Sequence, residues 1–321
     1  MNILALIFPV IAVTAIGYVL ARSEFVNKGQ LDGLSKVTFN ILMPSFLFVT
    51  MATSNLAEQF EPDIMFAFYL PVLSFYITLM AYHYFFAKTD RRQLGTAAVY
   101  AMGNTYSNVV LLGLPVVLSA LGPDYATYVF LILSAHGIIM IGFTNFCGAF
   151  NQSSNTANTS KLSSTSKLSC TIKNLWHMIS NPVLASIVGG MLYNVMGFGL
   201  NDTIKDTLTL LGKPGITCAL IILGSSLHFY NVKGHRLQIA WLSLVKLILL
   251  PLSVYLSATY LFELEKALVA VMVILSASPT GVNAYLVACT VQKHQALVAS
   301  TVVVTTVLCM FSMIGWLWVL F

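Results

Sequence analysis

The sequence predicts an all-α integral membrane protein with ten transmembrane helices, arranged as a five-plus-five inverted repeat with broken crossover helices 4 and 9. Three observations predict it. Of 321 residues, 58% are hydrophobic and 8% charged, against roughly 45–50% and about 25% in soluble domains. The apolar residues gather into runs long enough to cross a bilayer. Proline-centred motifs recur at matched positions in the two halves of the chain. The composition excludes a water-soluble globular fold and a disordered chain. The net charge of +5 is too thin a field for nucleic acid.

A transmembrane helix needs about 20 mostly apolar residues. Ten runs qualify: 3–20, 37–52, 64–86, 94–121, 126–150, 176–198, 207–228, 237–262, 267–290 and 296–321. The second and seventh are the weakest, since each holds a proline and several polar residues. The first has no basic residue before it and Arg22, Lys28 and Lys36 after it. Those flanks suit a retained span rather than a cleaved signal peptide.

The loops alternate in charge. Arg22, Lys28, Lys36, Lys88, Arg91, Arg92, Lys161, Lys167, Lys173, Lys233, Arg236 and Lys293 fall on the side of the odd-numbered loops, and only Lys205, Lys213 (near the start of the seventh run) and Lys266 on the side of the even-numbered ones. Basic loops mark the cytoplasmic side, so both termini are expected on the outer side. All eleven acidic residues lie in loops or at span ends. The spans therefore offer no carboxylate cage for a cation.

The two halves match motif by motif. FPVIAVTAIGYVL from Phe8 pairs with NPVLASIVGGMLY from Asn181, setting Pro9 against Pro182. LMPSFLFVTMATS around Pro44 pairs with GKPGITCALIILGSS around Pro214, and YLPVLSFY around Pro71 with LLPLSVYL around Pro251. Three matches in register indicate duplication. Five spans per copy is an odd number, so the second copy enters the membrane inverted, a common plan of secondary transporters. The expected organisation is repeat 1 at 1–150, a cytoplasmic linker at 151–175 rich in Ser, Thr and Asn, and repeat 2 at 176–321.

The fourth run contains GNTYSNVVLLGLPVV, from Gly103 to Val117. Its 28 residues would make a helix of about 42 Å in a hydrocarbon core of about 30 Å, so it must tilt, bend or break. Asn104, Thr105, Ser107 and Asn108 cluster where apolar residues are expected, and Gly113 and Pro115 supply a break. The ninth run contains ILSASPTGVNAYLVA, with Pro279 and Gly281 as the break and Ser276, Ser278, Thr280 and Asn283 as polar lining. An offset of 175 sets Asn108 against Asn283. Small and polar residues also serve close helix packing. Matched interruptions in two halves are nevertheless the sequence pointer to a transporter's binding site. Helix N-termini can hold an anion there without a charged side chain.

Lys246 is the one clear charge inside a span. It either faces a cavity and balances an anionic substrate, or snorkels to the interface or pairs with backbone carbonyls. The histidines are scattered, with His83 and His177 near interfaces, His235 and His294 in loops, and His136 and His228 deeper. They read as packing residues, and no metal-ligand spacing is present. Five cysteines form no C-x-x-C pair and read as packing residues too. No Walker, GxGxxG or G-x-S-x-G motif is present, so no cofactor and no enzymatic chemistry are expected.

FPVIAVTAIGYVLAR, FNILMPSFLF, NTYSNVVLLGLPVV, KLILLP and ASPTGVNAYLVA together resemble the auxin efflux carrier family, over nearly the whole chain. Within it, the short linker resembles the bacterial malate/malonate-permease-like branch. The family is related to the bile acid/sodium symporters. The resemblance implies a scaffold of spans 1, 2, 6 and 7 and a moving unit of spans 3–5 and 8–10, crossing at spans 4 and 9. It implies substrate contact at Asn108 and Asn283, with Pro115 and Pro279 shaping the breaks. The expected activity is secondary transport of a small organic anion, such as a dicarboxylate, across the plasma (bacterial inner) membrane by alternating access. A passive channel and a membrane-embedded sensor are the rivals. The substrate-binding set is Asn104, Thr105, Asn108, Lys246, Ser278, Thr280 and Asn283. Partners are the anion, the bilayer, a coupling proton or sodium that the uncharged lining does not choose between, and a second copy if the chain forms a homodimer.

Overall fold

The computed structural model describes residues 3–54, 61–86, 93–155, 182–229 and 236–321. Among these it is all-helical, with no strand. Its helices are α1 (Ile3–Arg22), α2 (Lys28–Thr53), α3 (Pro62–Phe86), α4 (Leu94–Thr105), α5 (Val109–Ala120) and α6 (Ala126–Asn155). The second half contributes α7 (Pro182–Val195), α8 (Asp202–Phe229), α9 (Arg236–Leu261), α10 (Lys266–Ala277), α11 (Val282–Val291) and α12 (Gln295–Leu320). Six helical runs, in α2, α3, α6, α8, α9 and α12, are long and apolar enough to cross a membrane. Of the linker expected at 151–175, residues 151–155 extend α6, and the rest lies outside the described residues, as do Lys88, Arg91, Arg92, Lys161, Lys167, Lys173 and Lys233.

Local sequence explains the ends and bends. Asn27 opens α2 with a capping box: its side chain accepts from the Gln30 N–H, and the Gln30 side chain accepts from the Asn27 N–H, both at 2.9 Å. Wide π turns interrupt α2 at Thr38–Leu42 and α9 at Val245–Leu249, and another opens α5 at Val109–Gly113. Each ends two residues before a proline, Pro44, Pro251 and Pro115. A proline ring crowds the carbonyl four residues back and offers no N–H, and a widened turn relieves both.

Two of the expected long spans are each two helices. The run 94–121 is α4 and α5 joined by extended backbone at 106–108, and 267–290 is α10 and α11 joined at 278–281. Neither piece of a pair alone approaches the about 20 residues a crossing needs.

Glycines set how closely α1, α2, α7 and α8 pack. A Cβ on Gly224 of α8 would overlap the Thr14 carbonyl of α1, and one on Gly17 of α1 would overlap the Ile221 carbonyl of α8. A Cβ on Gly190 of α7 would meet the Phe48 carbonyl of α2 at 2.7 Å, and one on Gly212 of α8 the Phe46 Cα at 2.8 Å. Small residues let backbones approach where lipid supplies no hydrophobic drive. The remaining helices pack as a second group, α3 and α6 against α4, and α9 and α12 against α10. Phe68, Tyr76, Phe130, Leu114 and Ile274 are buried there. Outward-facing Phe8, Phe85, Leu210, Phe311 and Trp318 are exposed. That apolar exterior would be a liability in water and suits a bilayer. Cys147 and Cys309 are buried free thiols, and Cys218 and Cys289 are half-buried ones.

Candidate functional site

The two breaks meet. Residues 106–108 and 278–281 run antiparallel past one another, with Ser107 and Thr280 forming a single bridge. The Asn108 N–H donates to the Pro279 carbonyl at 2.8 Å, and the Gly281 N–H to the Tyr106 carbonyl at 3.0 Å. Backbone freed by a broken helix has no water to turn to in a membrane, so each break here supplies partners to the other. The other donors are also placed. The Ser107 N–H donates to His136 Nε2 at 3.1 Å, and the Thr280 N–H to Thr305 Oγ1 at 3.1 Å. The N–H groups of Tyr106 and Ser278 close the last turns of α4 and α10. Every N–H in the two breaks therefore has a partner.

Why the helices stop is legible in their last residues. Thr105 Oγ1 and Asn104 Nδ2 bond back to the carbonyls of Ala101 and Tyr100, at 2.9 and 2.6 Å. Ser278 Oγ does the same to the Ile274 carbonyl at 2.9 Å. Such side chains compete with the backbone ladder. Pro279, which has no N–H, then follows in extended backbone.

A cavity of about 770 Å³ lies against this crossover. Tyr106, Ser107, Asn108, Gly281, Val282 and Asn283 form one wall. Leu31 and Phe39 of α2, Ile187 of α7 and Ile222 of α8 form the facing wall, and the cavity reaches the exposed Lys28 and Asp32 at the start of α2. Asn108 caps α5, its Oδ1 accepting from the Leu111 N–H at 3.3 Å. Its Nδ2 is buried with no hydrogen-bond partner among the described residues, a group that costs about 1–3 kcal/mol when left unpaired. Asn283 Nδ2 donates to the Tyr106 hydroxyl at 3.1 Å. Both α5 and α11 begin at this wall, bringing the partial positive charge of two helix N-termini to it.

Of the seven residues expected to bind substrate, Asn108 and Asn283 line the cavity. Asn104, Thr105, Ser278 and Thr280 are buried behind that wall, where Thr280 Oγ1 holds the Gly103 carbonyl at 3.0 Å. Lys246 is fully buried, with Nζ 2.6 Å from Ser107 Oγ and 2.7 Å from the Ser276 carbonyl. Gly113 and Pro115 place α5 against α10, since a Cβ at Gly113 would meet Leu275 Cδ2 and Ser278 Oγ at 2.9 Å. Sequence reasoning missed Tyr106 and His136, whose rings stack at 4.8 Å. The position of Tyr106 inside NTYSN is the one signal that could have found it.

Among the described residues, no group of three His, Cys, Asp or Glu could hold a metal ion. The site offers amides, hydroxyls, a phenol and helix ends over an apolar floor. The pattern of a family described as membrane transport protein matches residues 2–317. The chain belongs to that family. This is the auxin efflux carrier family that the motifs resemble, a family of transporters and not of enzymes. Its members are multi-pass membrane proteins, as the apolar helices here require. "Uncharacterized transporter YfdV" of Escherichia coli (strain K12) is 25% identical over 254 residues, covering 78% of this chain and 76% of that protein. "Putative malonate transporter" of Rhizobium meliloti (strain 1021) is 20% identical over 323 residues, 99% of this chain and 96% of that protein.

Proposed function

We propose that this transporter is a secondary carrier for a small organic anion, working by alternating access. Its ten spans form two inverted five-span repeats at 1–150 and 176–321, joined by the linker at 151–175, in the bacterial inner membrane with both termini outside. The observation that carries the reading is the buried Asn108 Nδ2, without a hydrogen-bond partner among the described residues, on a cavity wall where two helix N-termini start. A carboxylate would accept from that amide and from the Ser107 hydroxyl while favouring both helix ends. Every acidic residue among the described ones is exposed, so none competes with an anion at the wall.

In this reading Asn108, Asn283, Ser107 and Tyr106 contact substrate. Asn104, Thr105, Ser278 and Thr280 hold the broken ends in place, and Gly113, Pro115, Pro279 and Gly281 shape them. The unit of α3–α6 and α9–α12 moves against the glycine-packed α1, α2, α7 and α8. The cavity reaches Lys28 and Asp32 at the start of α2, in the basic stretch between the first two expected spans, the kind of stretch that favours the cytoplasmic side; in this reading the conformation faces inward. A dicarboxylate of malonate size fits the name carried by one relative.

The test is counterflow of labelled malonate into proteoliposomes preloaded with unlabelled malonate. A carrier saturates and shows counterflow, whereas a pore does neither and a sensor moves nothing. Asn108→Ala and Asn283→Ala should lower the rate about tenfold or more, the loss of one hydrogen bond to a charged group, with unchanged membrane insertion. Wild-type rates in both variants would remove the site assignment.

A further inference from the structure

Lys246 sits on the π turn Val245–Leu249 of α9, with no exposed surface. Its Nζ donates to Ser107 Oγ in the first break at 2.6 Å and to the Ser276 carbonyl at 2.7 Å. Ser276 lies in the last turn of α10, where the helix presents the negative end of its dipole. A third helix thus reaches into the crossover and ties both broken helices with one ammonium. The distances suit charge-assisted bonds. Since every acidic residue among the described ones is exposed, no described carboxylate shares this pocket.

Carriers with broken helices hold their coupling sodium or proton on half-helix C-terminal ends and unwound backbone oxygens. The Ser276 carbonyl is a group of that kind, the Ser107 hydroxyl adds a side-chain oxygen beside it, and here a tethered cation occupies both. We propose that the Lys246 ammonium is a resident cation of the crossover, standing in for a coupling sodium ion and making the transporter sodium-independent. A sodium ion cannot bind the same oxygens beside it, because two unit charges so close repel strongly in a low-dielectric interior. The charge also reaches the cavity. Ser107 Oγ accepts from Nζ, which leaves its own O–H to donate, and Ser107 lines the cavity. Lys246 is therefore a positioning residue that acts on the anion through Ser107. This last point rests on the anion-carrier reading, whereas the sodium point does not.

The experiment uses the full-length protein purified in detergent, with sodium chloride or choline chloride as the probe. Wild type should melt at the same temperature in both salts. Lys246→Ser, which empties the position and adds a hydroxyl, should melt several degrees higher in sodium than in choline. Sodium-dependent melting of wild type overturns the proposal, and so does a Lys246→Ser protein indifferent to sodium. Where Lys246→Ser is not recovered folded, Lys246→Met keeps the length without the charge. It should lose malonate counterflow about tenfold or more in either salt, and unchanged counterflow overturns the proposal. Should wild type itself show no malonate counterflow, the carrier reading fails while the wild-type melting comparison still decides whether sodium has a site.

Discussion

Gly281 lies flat against the ring of Tyr106: a Cβ on the glycine would fall 2.7 Å from ring carbons Cδ1 and Cε1. Its φ of −73° is one that any residue adopts, so space, not backbone freedom, requires glycine here. The contact joins the two halves of the chain at the crossover, where the same residues share the Gly281 N–H to Tyr106 carbonyl bond. Gly281→Ala should therefore push the breaks apart. Overpacking of this kind costs about 1–3 kcal/mol. We expect a lower melting temperature and slower transport. Adding Tyr106→Ala to Gly281→Ala should recover part of the stability, because the colliding ring is gone. A double variant no more stable than the single one would show that the collision is not the cause.

A second pair of glycines separates contact from propensity. The Gly224 position abuts the Thr14 carbonyl of α1, which is backbone and cannot step aside. Gly224→Leu should abolish recovery of folded protein from membranes. Gly33, on the exposed side of α2, has nothing within 4 Å of a Cβ. There Gly33→Ala should stabilise by about 0.5–1 kcal/mol through helix propensity alone. The yield of folded protein checks Gly224→Leu, and thermal melting of the purified variant checks Gly33→Ala. A destabilised Gly33→Ala would mean that an unseen neighbour occupies that face.

Much of this architecture is legible in the sequence, and the rest is not for definable reasons. Apolar runs locate the helices because lipid demands length and apolarity together. The NTYSN and SPTG stretches mark the breaks because polar side chains that bond back to the preceding turn gather there, and in the second stretch Pro279 follows directly. Which polar residue faces the cavity is another matter. Asn104, Thr105 and Asn108 are equally polar on paper, and only the extended turn at 106–108 carries Asn108 to the wall. His136 reads as a packing residue, yet its Nε2 accepts the Ser107 N–H, a pairing 29 positions apart that no local pattern encodes. Lys246 has two readings in sequence. Its Nζ reaches a backbone carbonyl and a crossover hydroxyl instead of the interface.

The turn before α12 carries a pH response. His294 and His83 face each other with their Nε2 atoms 3.0 Å apart. Burial first, and then His83 and Lys293, hold the His294 pKa down at about 4. In the unfolded chain a histidine titrates near ~6.5, so between those values the unfolded state takes up a proton that the folded state refuses. Stability from this site is complete above about pH 6.5 and is lost as pH falls toward 4. Melting temperature should be flat from neutral to alkaline pH and drop near pH 5. His294→Gln should flatten part of that drop. Equal drops in both proteins would assign the acid sensitivity elsewhere.

Tyr76 tests whether shape or hydrogen bonding dominates the second helix group. Its hydroxyl donates to the Ala98 carbonyl of α4 at 3.1 Å and meets Thr144 Oγ1 of α6 at 2.7 Å, and 1% of the residue is exposed. The hydroxyl therefore links three helices. Removing it leaves no stranded donor, because Thr144 Oγ1 also donates to the Met140 carbonyl at 2.7 Å. Interhelical hydrogen bonds in membranes average about 0.6 kcal/mol, so Tyr76→Phe should melt only slightly below wild type. Truncation of the ring is a different change. A large buried aromatic replaced by alanine loses about 3–5 kcal/mol to the cavity it leaves. Tyr76→Ala should therefore fall well below Tyr76→Phe in melting temperature at matched detergent and pH. A Phe variant as unstable as the Ala variant would mean that the hydroxyl, and not the ring, holds α3, α4 and α6 together.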